Sequence, residues 1–552
     1  MLAPAVAGAT PPIHSPWPCG EPESVSQGHN TTSSHGGLNP WDAWAWDLRR
    51  GEGDPVVAPF DGIVRAVKDD SETSCCVDCG CWLDTNHLVI AHDDGSESQI
   101  MHLRKDTVPF EVGDLVRRGE VVGQVGLTGQ ITGAHLHFAV QQDPCSTNGP
   151  WYCQSIQARF VDTGDPLANG QDYTSRNCML EDECMVGPDA ALTIDDGSSC
   201  FIDADGTETW ERYDEPSDSY SYRYVHNASG TQGTAEGYWR FRVQESGRYR
   251  VEVQMPWWND AAPNGSASVT YEVGSGAVRT EVGPVSQLAA SADWVVLGED
   301  FLLREETESY VRLSNATPET AGTTLVGFDQ VRITRVGDHV PARCAVVGGT
   351  EIDEGGECFT TSGESWFAEE GGRQGFVYSN SNDLAAPLEV GTWEFEVGLA
   401  ERHQIWVYVP LEAETAAARY QLFNGYITLD LDPVDQSKGP GWIELTRDGQ
   451  GGFELYAGLT ARLSLGDDTG EPFVSGGDNT IVAYDSIAIA PESIGFDPST
   501  LEDKFDGFDD GVARGGEADG CACRSRGEAG PVGALLVLLG LWGLRRRRAT
   551  AR

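Results

Sequence analysis

The chain has 552 residues, 39% of them apolar, with 66 glycines and 16 tryptophans. That length suits about three or four domains with real cores. Its net charge of −49 and pI near 4.3 repel polyanions, so nucleic acid and anionic membranes are excluded as partners; the acidity suits solubility in a salty extracellular medium. Few long helical periods interrupt a turn-rich, aromatic pattern, which predicts a mainly β protein. Fourteen cysteines, an even count spread through loop-like sequence, predict disulfides and an oxidising compartment.

Residues 1–25 read as a disordered N-terminus or the remnant of a signal peptide. The opening "MLAPAVAGATPP" lacks a basic segment and a full apolar run, yet Ala7–Ala9 resembles the small-residue end of such a peptide, which implies a start further upstream. Residues 26–142 are dense in Gly, Val and His, with alternating strands such as "GIVRAV" and "HLVIAH". Within them Cys75, Cys76, Cys79 and Cys81 are spaced too tightly for a regular four-thiolate zinc site. Residues 143–190 form a Cys-rich connector carrying Cys145, Cys153, Cys178 and Cys184.

An internal repeat follows. "TIDDGSSCF" (193–201) recurs as "EIDEGGECF" (351–359), "YWRFRVQESGRYRVEVQMP" (238–256) as "TWEFEVGLAERHQIWVYVP" (392–410), and "GFDQVRI" (327–333) as "AYDSIAI" (483–489). Order and spacing are both kept. Each unit has alternating strands about a turn and a closing strand with an aromatic–Asp pair, the pattern of an antiparallel sandwich. We assign the units to 191–337 and 338–492. Cys184 and Cys200 stand before the first unit as Cys344 and Cys358 stand before the second, and each couple is expected to pair. The units resemble the golvesin-like or xanthan-lyase-type modules of bacterial extracellular enzymes, through "GRYRVEVQMP" and the later Trp294, Leu297 and Gly298. The Trp257–Trp258 pair in "MPWWND" is a candidate for glycan contact at a cell surface, against the alternative of loop packing.

Residues 493–520 are an acidic, Gly-rich linker. Residues 521–552 combine Cys521 and Cys523, an apolar run from Gly530 to Leu544 and Arg545–Arg548. The run falls short of the ~20 residues of an ordinary membrane span, and the arginines would stay cytoplasmic. This order resembles the MYXO-CTERM sorting signal of myxobacteria and related bacteria. The resemblance implies a short transmembrane segment, cleavage near the cysteines by a sorting protease, and display on the outer membrane of a Gram-negative cell or release from it.

The most informative stretch is "TGAHLHFAV" (132–140). Alternate residues of a strand share a face, so His135 and His137 point together while Leu136 and Phe138 enter the core. Glycines at 113, 119, 123, 126, 129 and 133 suit a compact fold with tight turns. Upstream stand "SSHGGLNPWDAWAWDL", "GDPVVAPFDGIVRAV" and "NHLVIAHDDGSESQIMHL". In this order the blocks resemble the lysostaphin/LytM-type zinc endopeptidases of peptidoglycan. The resemblance implies a small antiparallel β metallopeptidase domain ahead of two tandem, jelly-roll-like β-sandwiches. It implies one zinc ion held by His35, Asp47 and His137, with His102 and His135 as catalytic histidines that move a proton and stabilise the charged intermediate. It further implies peptidoglycan peptides as the substrate. The complete set argues against an inactive binding or regulatory homologue; a surface adhesin is the other alternative.

Two departures from the family pattern stand out. The family usually places three residues between its first His and Asp, whereas His35 and Asp47 have 11 between them. Asp42 and His29 are therefore rival ligands. Met101 stands where the family often has Tyr. His92 reads as a structural histidine at a strand end.

Overall fold

The computed structural model describes residues 12–501, except 38, 77–78, 148, 164–169, 171, 205–209, 215–220, 231–232, 259–264, 277, 289–292, 340–343, 347, 370–371, 374, 385, 399 and 472–478. The mainly β expectation holds: the elements are strands joined by short 3-10 turns. In the N-terminal domain we number β1 (Pro22–Gln27), β2 (Trp46–Leu48), β3 (Pro55–Val57), β4 (Gly62–Lys68), β5 (Ser74–Cys75), β6 (His87–Ala91), β7 (Glu97–Met101), β8 (Leu115–Val116), β9 (Val121–Gln124), β10 (Gly129–Gln130), β11 (Leu136–Ser146), β12 (Gly149–Ser155) and β13 (Asp172–Thr174). The main sheet runs β13-β1-β2-β11-β7-β6-β4-β8, with β12 also on β11. All its pairings are antiparallel.

β6 is buried at all five positions, as its unbroken "HLVIA" requires of a strand covered on both faces. The core gathers Trp46, Phe138, Phe160, Leu88, Ile90 and Ile100. Of the stretch 1–25, expected to be a disordered N-terminus or a signal-peptide remnant, residues 12–25 are ordered, and 1–11 lie outside the described residues. Ile13 and Trp17 are fully buried in that core, β1 pairs with both β2 and β13, and Cys19 is bonded to Cys178. The apolar side chains of "IHSPW" explain the difference, because burying them offsets the entropy of ordering the segment. The Cys-rich 143–190 segment likewise contributes β12 and β13 to the same sheet. Cys75–Cys81, Cys76–Cys79 and Cys145–Cys153 are disulfides.

The two repeats keep the same order of main strands. In the first, the sheet ordered Met185–Val186, Glu236–Val243, Ser309–Ser314, Val269–Ser275, Val278–Val285 faces one ordered Leu192–Ile194, Val331–Gly337, Gly247–Gln254, Trp294–Leu303. In the second, Ala345–Val346, Val390–Val397, Thr460–Gly466, Tyr420–Phe423, Thr428–Asp430 faces Thr350–Ile352, Ile487–Pro491, Glu401–Val409, Gly441–Glu444. Each encloses its own apolar core. Cys184–Cys200 and Cys344–Cys358 pair as expected. Trp258 is buried and donates its indole N–H to the Gln287 carbonyl at 2.7 Å. It is therefore a packing residue and not the exposed sugar platform considered above.

The strand Glu236–Val243 is buried on both faces. Trp239, Phe241 and Val243 enter the sandwich core, and the alternate residues meet the N-terminal domain. Arg242 pairs with Asp61 at 2.5 Å, Arg118 with Glu308 at 2.8 Å, and Arg304 with Asp93. Burial would raise the Asp61 carboxyl; Arg242 and the backbone N–H groups of Arg118 and Glu308 outweigh it and hold Asp61 below its ordinary range. Ile63 and Ala91 of the N-terminal domain join the apolar cluster of the second sandwich. Among the described residues no helix is long and apolar enough to cross a membrane. The Gly530–Leu544 run, Cys521, Cys523 and the arginines lie outside the described residues.

Candidate metal centre and active site

Asp47 in β2 and His137 in β11 are register partners on adjacent strands, which sets their side chains side by side on one face. His35 comes from the loop between β1 and β2 and is fully buried. His35 Nε2 lies 3.2 Å from Asp47 Oδ1, His137 Nδ1 lies 3.0 Å from the same oxygen, and the two nitrogens are 3.4 Å apart. His35, Asp47 and His137 thus form one group whose ligand atoms all lie within 4.8 Å of one another.

The surroundings fix which atoms carry hydrogens. His35 Nδ1 faces the Gly28 carbonyl at 3.1 Å. A carbonyl only accepts, so Nδ1 carries the hydrogen and Nε2 presents its lone pair. On His137, Nδ1 lies within hydrogen-bond distance of Asp47 Oδ1 at 3.0 Å, while Nε2 faces Asp42 Oδ1 at 3.7 Å, beyond hydrogen-bond length. Two imidazole nitrogens and one carboxylate oxygen therefore converge on one point. Only a proton or a cation relieves that arrangement, and a donor set of two imidazoles and one carboxylate suits zinc with a position left open. In the metal-free protein the strain is met by protonation. Burial would lower the His137 pKa, but Asp42 and Asp47 outweigh it and push it up to about 10. Burial would raise Asp47, but His137 and His35 hold it well below the carboxylate range.

The remaining two histidines adjoin this group. His135 lies just before β11; its Nδ1–H donates to the Gly133 carbonyl at 2.9 Å, so the Nε2 lone pair points toward Asp47 Oδ1 at 3.5 Å. Its side chain is 19% exposed, against 0% for His35, so solvent reaches the group from the His135 side. His102 follows β7 with φ 65°, a left-handed conformation that costs about 1–2 kcal/mol for a residue with a Cβ. Two bonds hold it there: Nδ1–H to the Thr128 carbonyl at 2.8 Å, and Gly126 N–H to the His102 carbonyl at 2.8 Å. A Cβ at Gly126 would lie 2.6 Å from the Arg104 backbone, so glycine allows this close approach. The His102 and His135 rings are 4.8 Å apart. Burial, then the neighbouring His135 and His137, lower the His102 pKa to about 3, which keeps the ring neutral.

The five predicted residues are thus adjacent, and the two rivals are not among the three converging ligands. His29 packs against Trp44 and Trp46, at 5.3 and 4.2 Å between ring centres. Asp42 stands behind His137 as an outer partner. It accepts from Tyr152 Oη–H at 2.6 Å and from Asn39 Nδ2 at 2.9 Å. Sequence reasoning missed Asn39 and Tyr152. "NPWD" carries a local signal, since Asn39 caps the turn Pro40–Asp42; Tyr152 is distant in sequence and carries none. His92 is structural as read: its ring nitrogens meet the Asp61 carbonyl at 2.7 Å and Ser98 Oγ at 2.8 Å. Outer partners that orient a ligand histidine are worth about 10–100-fold in metal affinity. Asp42→Asn is expected to weaken zinc binding by that factor in competition with a chelator, while the Asp42→Glu protein retains more of it. An unchanged affinity would reduce Asp42 to a turn residue.

Two regions of the chain are similar to known proteins. Residues 43–149 match Peptidase family M23, and residues 194–335 match the Golvesin C-terminal domain. Asp47, His102, His135 and His137 fall within the first match; His35 precedes it. The peptidoglycan DD-endopeptidase ShyB of Vibrio cholerae is 42% identical over 88 residues, which are 16% of this chain and 18% of that protein. Among solved structures, a zinc-containing peptidase from Vibrio cholerae is 27% identical over 23% of this chain and 36% of its own, with a TM-score of 0.18. The catalytic domain of lysostaphin from Staphylococcus simulans is 21% identical over 24% of this chain and 86% of its own, with a TM-score of 0.18. The chain therefore spans only about a fifth of ShyB and about a third of the zinc-containing peptidase.

Proposed function

We propose that the N-terminal domain is a zinc metalloendopeptidase that hydrolyses peptide bonds of bacterial peptidoglycan. One observation carries the reading: His35 Nε2, Asp47 Oδ1 and His137 Nδ1 converge beside two further imidazoles, His102 and His135, each anchored through its Nδ1. The M23 match supports the reaction class, and the likeness to a peptidoglycan DD-endopeptidase supports the substrate.

Zinc held by His35, Asp47 and His137 would supply Lewis acidity, polarising a carbonyl and acidifying water. The protein's own groups do the rest. His135 Nε2 sits on the solvent-facing side and is the atom placed to take a proton from the attacking water and return it to the leaving amine. The hydrogen bond to Gly133 leaves Nε2 free for that exchange. His102, held neutral on its left-handed backbone with its hydrogen on Nδ1, presents its Nε2 lone pair to accept from, and so orient, the attacking water. All five residues are kept, which favours an active enzyme over a binding homologue.

We place the protein outside the cytoplasm, at the cell surface or released. The disulfides described above support an oxidising compartment, and the 521–552 sequence supports display through a sorting protease. The test of the activity is digestion of purified sacculi by the full chain. New amino groups should appear without new reducing ends, and a chelator should stop their release. New reducing ends without new amino groups would show a glycan hydrolase, and no release at all would return the domain to a binding role.

A further inference from the structure

The two sandwiches share a topology but differ sharply on one outer sheet face. Along Glu401–Val409, the residues Ile405, Val407 and Val409 enter the core, so Trp406 and Tyr408 point outward. Trp442 and Glu444 of the next strand stand opposite Tyr408 and Trp406. The other neighbour places Ala488 opposite Trp406. In the first repeat the same positions hold Glu252, Gln254, Trp294 and Arg332. There Arg332 pairs with Glu252 at 2.8 Å and lies 4.3 Å from the Trp294 ring centre, closing the face with ions. In the second repeat the pair is replaced by Trp406 and Ala488. Without that ion pair, this face of the second repeat carries a cleft over Trp406.

That cleft measures about 530 Å³ and is bounded on its far side by residues 497–501, within the ~300–1,000 Å³ of small-molecule sites. Trp406 is its buried floor, 5.7 Å from Phe496 between ring centres. Tyr408 and Trp442, edge to face at 5.3 Å, are half-buried. Glu444, Asp497 and Ser499 stand on the rim and are exposed. Arg373 is buried, bonded to Glu351 at 2.8 Å, and lies 5.5 Å from the Trp442 ring and 5.7 Å from that of Tyr408.

We propose that this cleft binds an uncharged pyranose saccharide. A pyranose presents an apolar face of C–H groups and a rim of hydroxyls. The rings offer the matching apolar surface, and two carboxylates and a hydroxyl offer acceptors at its edge. Other ligand classes fit worse. An anion meets Glu444 and Asp497 on a chain of net charge −49. A cation would compete with the guanidinium already beside both rings. A purely aliphatic ligand would cover the rim carboxylates without bonding them. The inference does not depend on the peptidase reading.

The test uses the full chain, titrated with triacetylchitotriose and with cellotriose and followed by tryptophan fluorescence and saturation-transfer NMR. Saturable binding of at least one sugar is expected; which one binds separates acetamido sugars of a cell wall from plain hexose polymers. Trp442→Ala should weaken it at least tenfold, Trp442→Phe should keep most of it, and Trp294→Ala in the first sandwich should leave it unchanged. Chelation should also leave it unchanged, so this result stands apart from any loss of peptidase activity. Failure of both sugars to bind at millimolar concentration would overturn the proposal. So would wild-type binding by the Trp442→Ala protein, equal weakening by Trp294→Ala, or loss of binding on chelation.

Discussion

His137→Ala protein is expected to contain no tightly held zinc and to show no cleavage of wall peptides above background. His137 supplies one of three converging ligand atoms, and its ring also links Asp47 to the outer group of Asp42, Asn39 and Tyr152. Removing it leaves His35 and Asp47 as a two-atom site and exposes Asp42 to a cavity with no cation to face. Affinity and geometry fail together, because a metal site is only as strong as its complete, oriented ligand set. Elemental analysis of dialysed protein decides the matter. Full occupancy in both His137→Ala and His35→Ala proteins would show that the ion sits elsewhere.

His135→Ala protein should keep its zinc and lose about 10²–10⁴ in turnover, the usual worth of a positioned acid–base group. His135 lies 3.5 Å from Asp47 Oδ1 through Nε2, near the ligands yet outside the group they form. Its deletion therefore leaves the three ligand atoms and the strand pairing of Asp47 with His137 intact. His102→Ala should behave similarly in turnover, with KM less affected than kcat in both proteins. Near-normal cleavage of wall fragments would remove the catalytic role. Loss of zinc together with activity would make the residue a ligand.

How far these assignments were legible in the sequence depends on the range of the interaction involved. The alternation in "AHLHFAV" was enough to place His135 and His137 on one face, because strand geometry is local; Leu136 and Phe138 are indeed fully buried. The repeat was legible because two copies of one fold keep their spacing. The choice between Asp42 and Asp47 was not, since both belong to the same short stretch. What sets Asp47 beside His137 is the pairing of β2 with β11, a contact across 90 residues. Tyr152 was assigned to a connector for the same reason. The N-terminal segment was misjudged because its few apolar residues look insufficient alone, and only the partner sheet makes Ile13 and Trp17 core residues. Trp258 of "MPWWND" misled in the opposite direction: an exposed-looking loop aromatic folds inward when a carbonyl such as that of Gln287 can satisfy the indole.

The ion pairs buried between the N-terminal domain and the first sandwich limit how this protein can be rearranged. Asp61, Arg118 and Asp93 on one side and Arg242, Glu308 and Arg304 on the other are shielded from solvent. Substituting one partner of such a pair leaves the other charge buried and uncompensated, at about 3–5 kcal/mol, a large share of the ~5–15 kcal/mol that holds an ordinary domain folded. Recombination could therefore not graft the N-terminal domain onto a foreign neighbour without also carrying across the three sandwich charges, Arg242, Glu308 and Arg304, that meet Asp61, Arg118 and Asp93. A substitution on one side of this contact has to be accepted by the other.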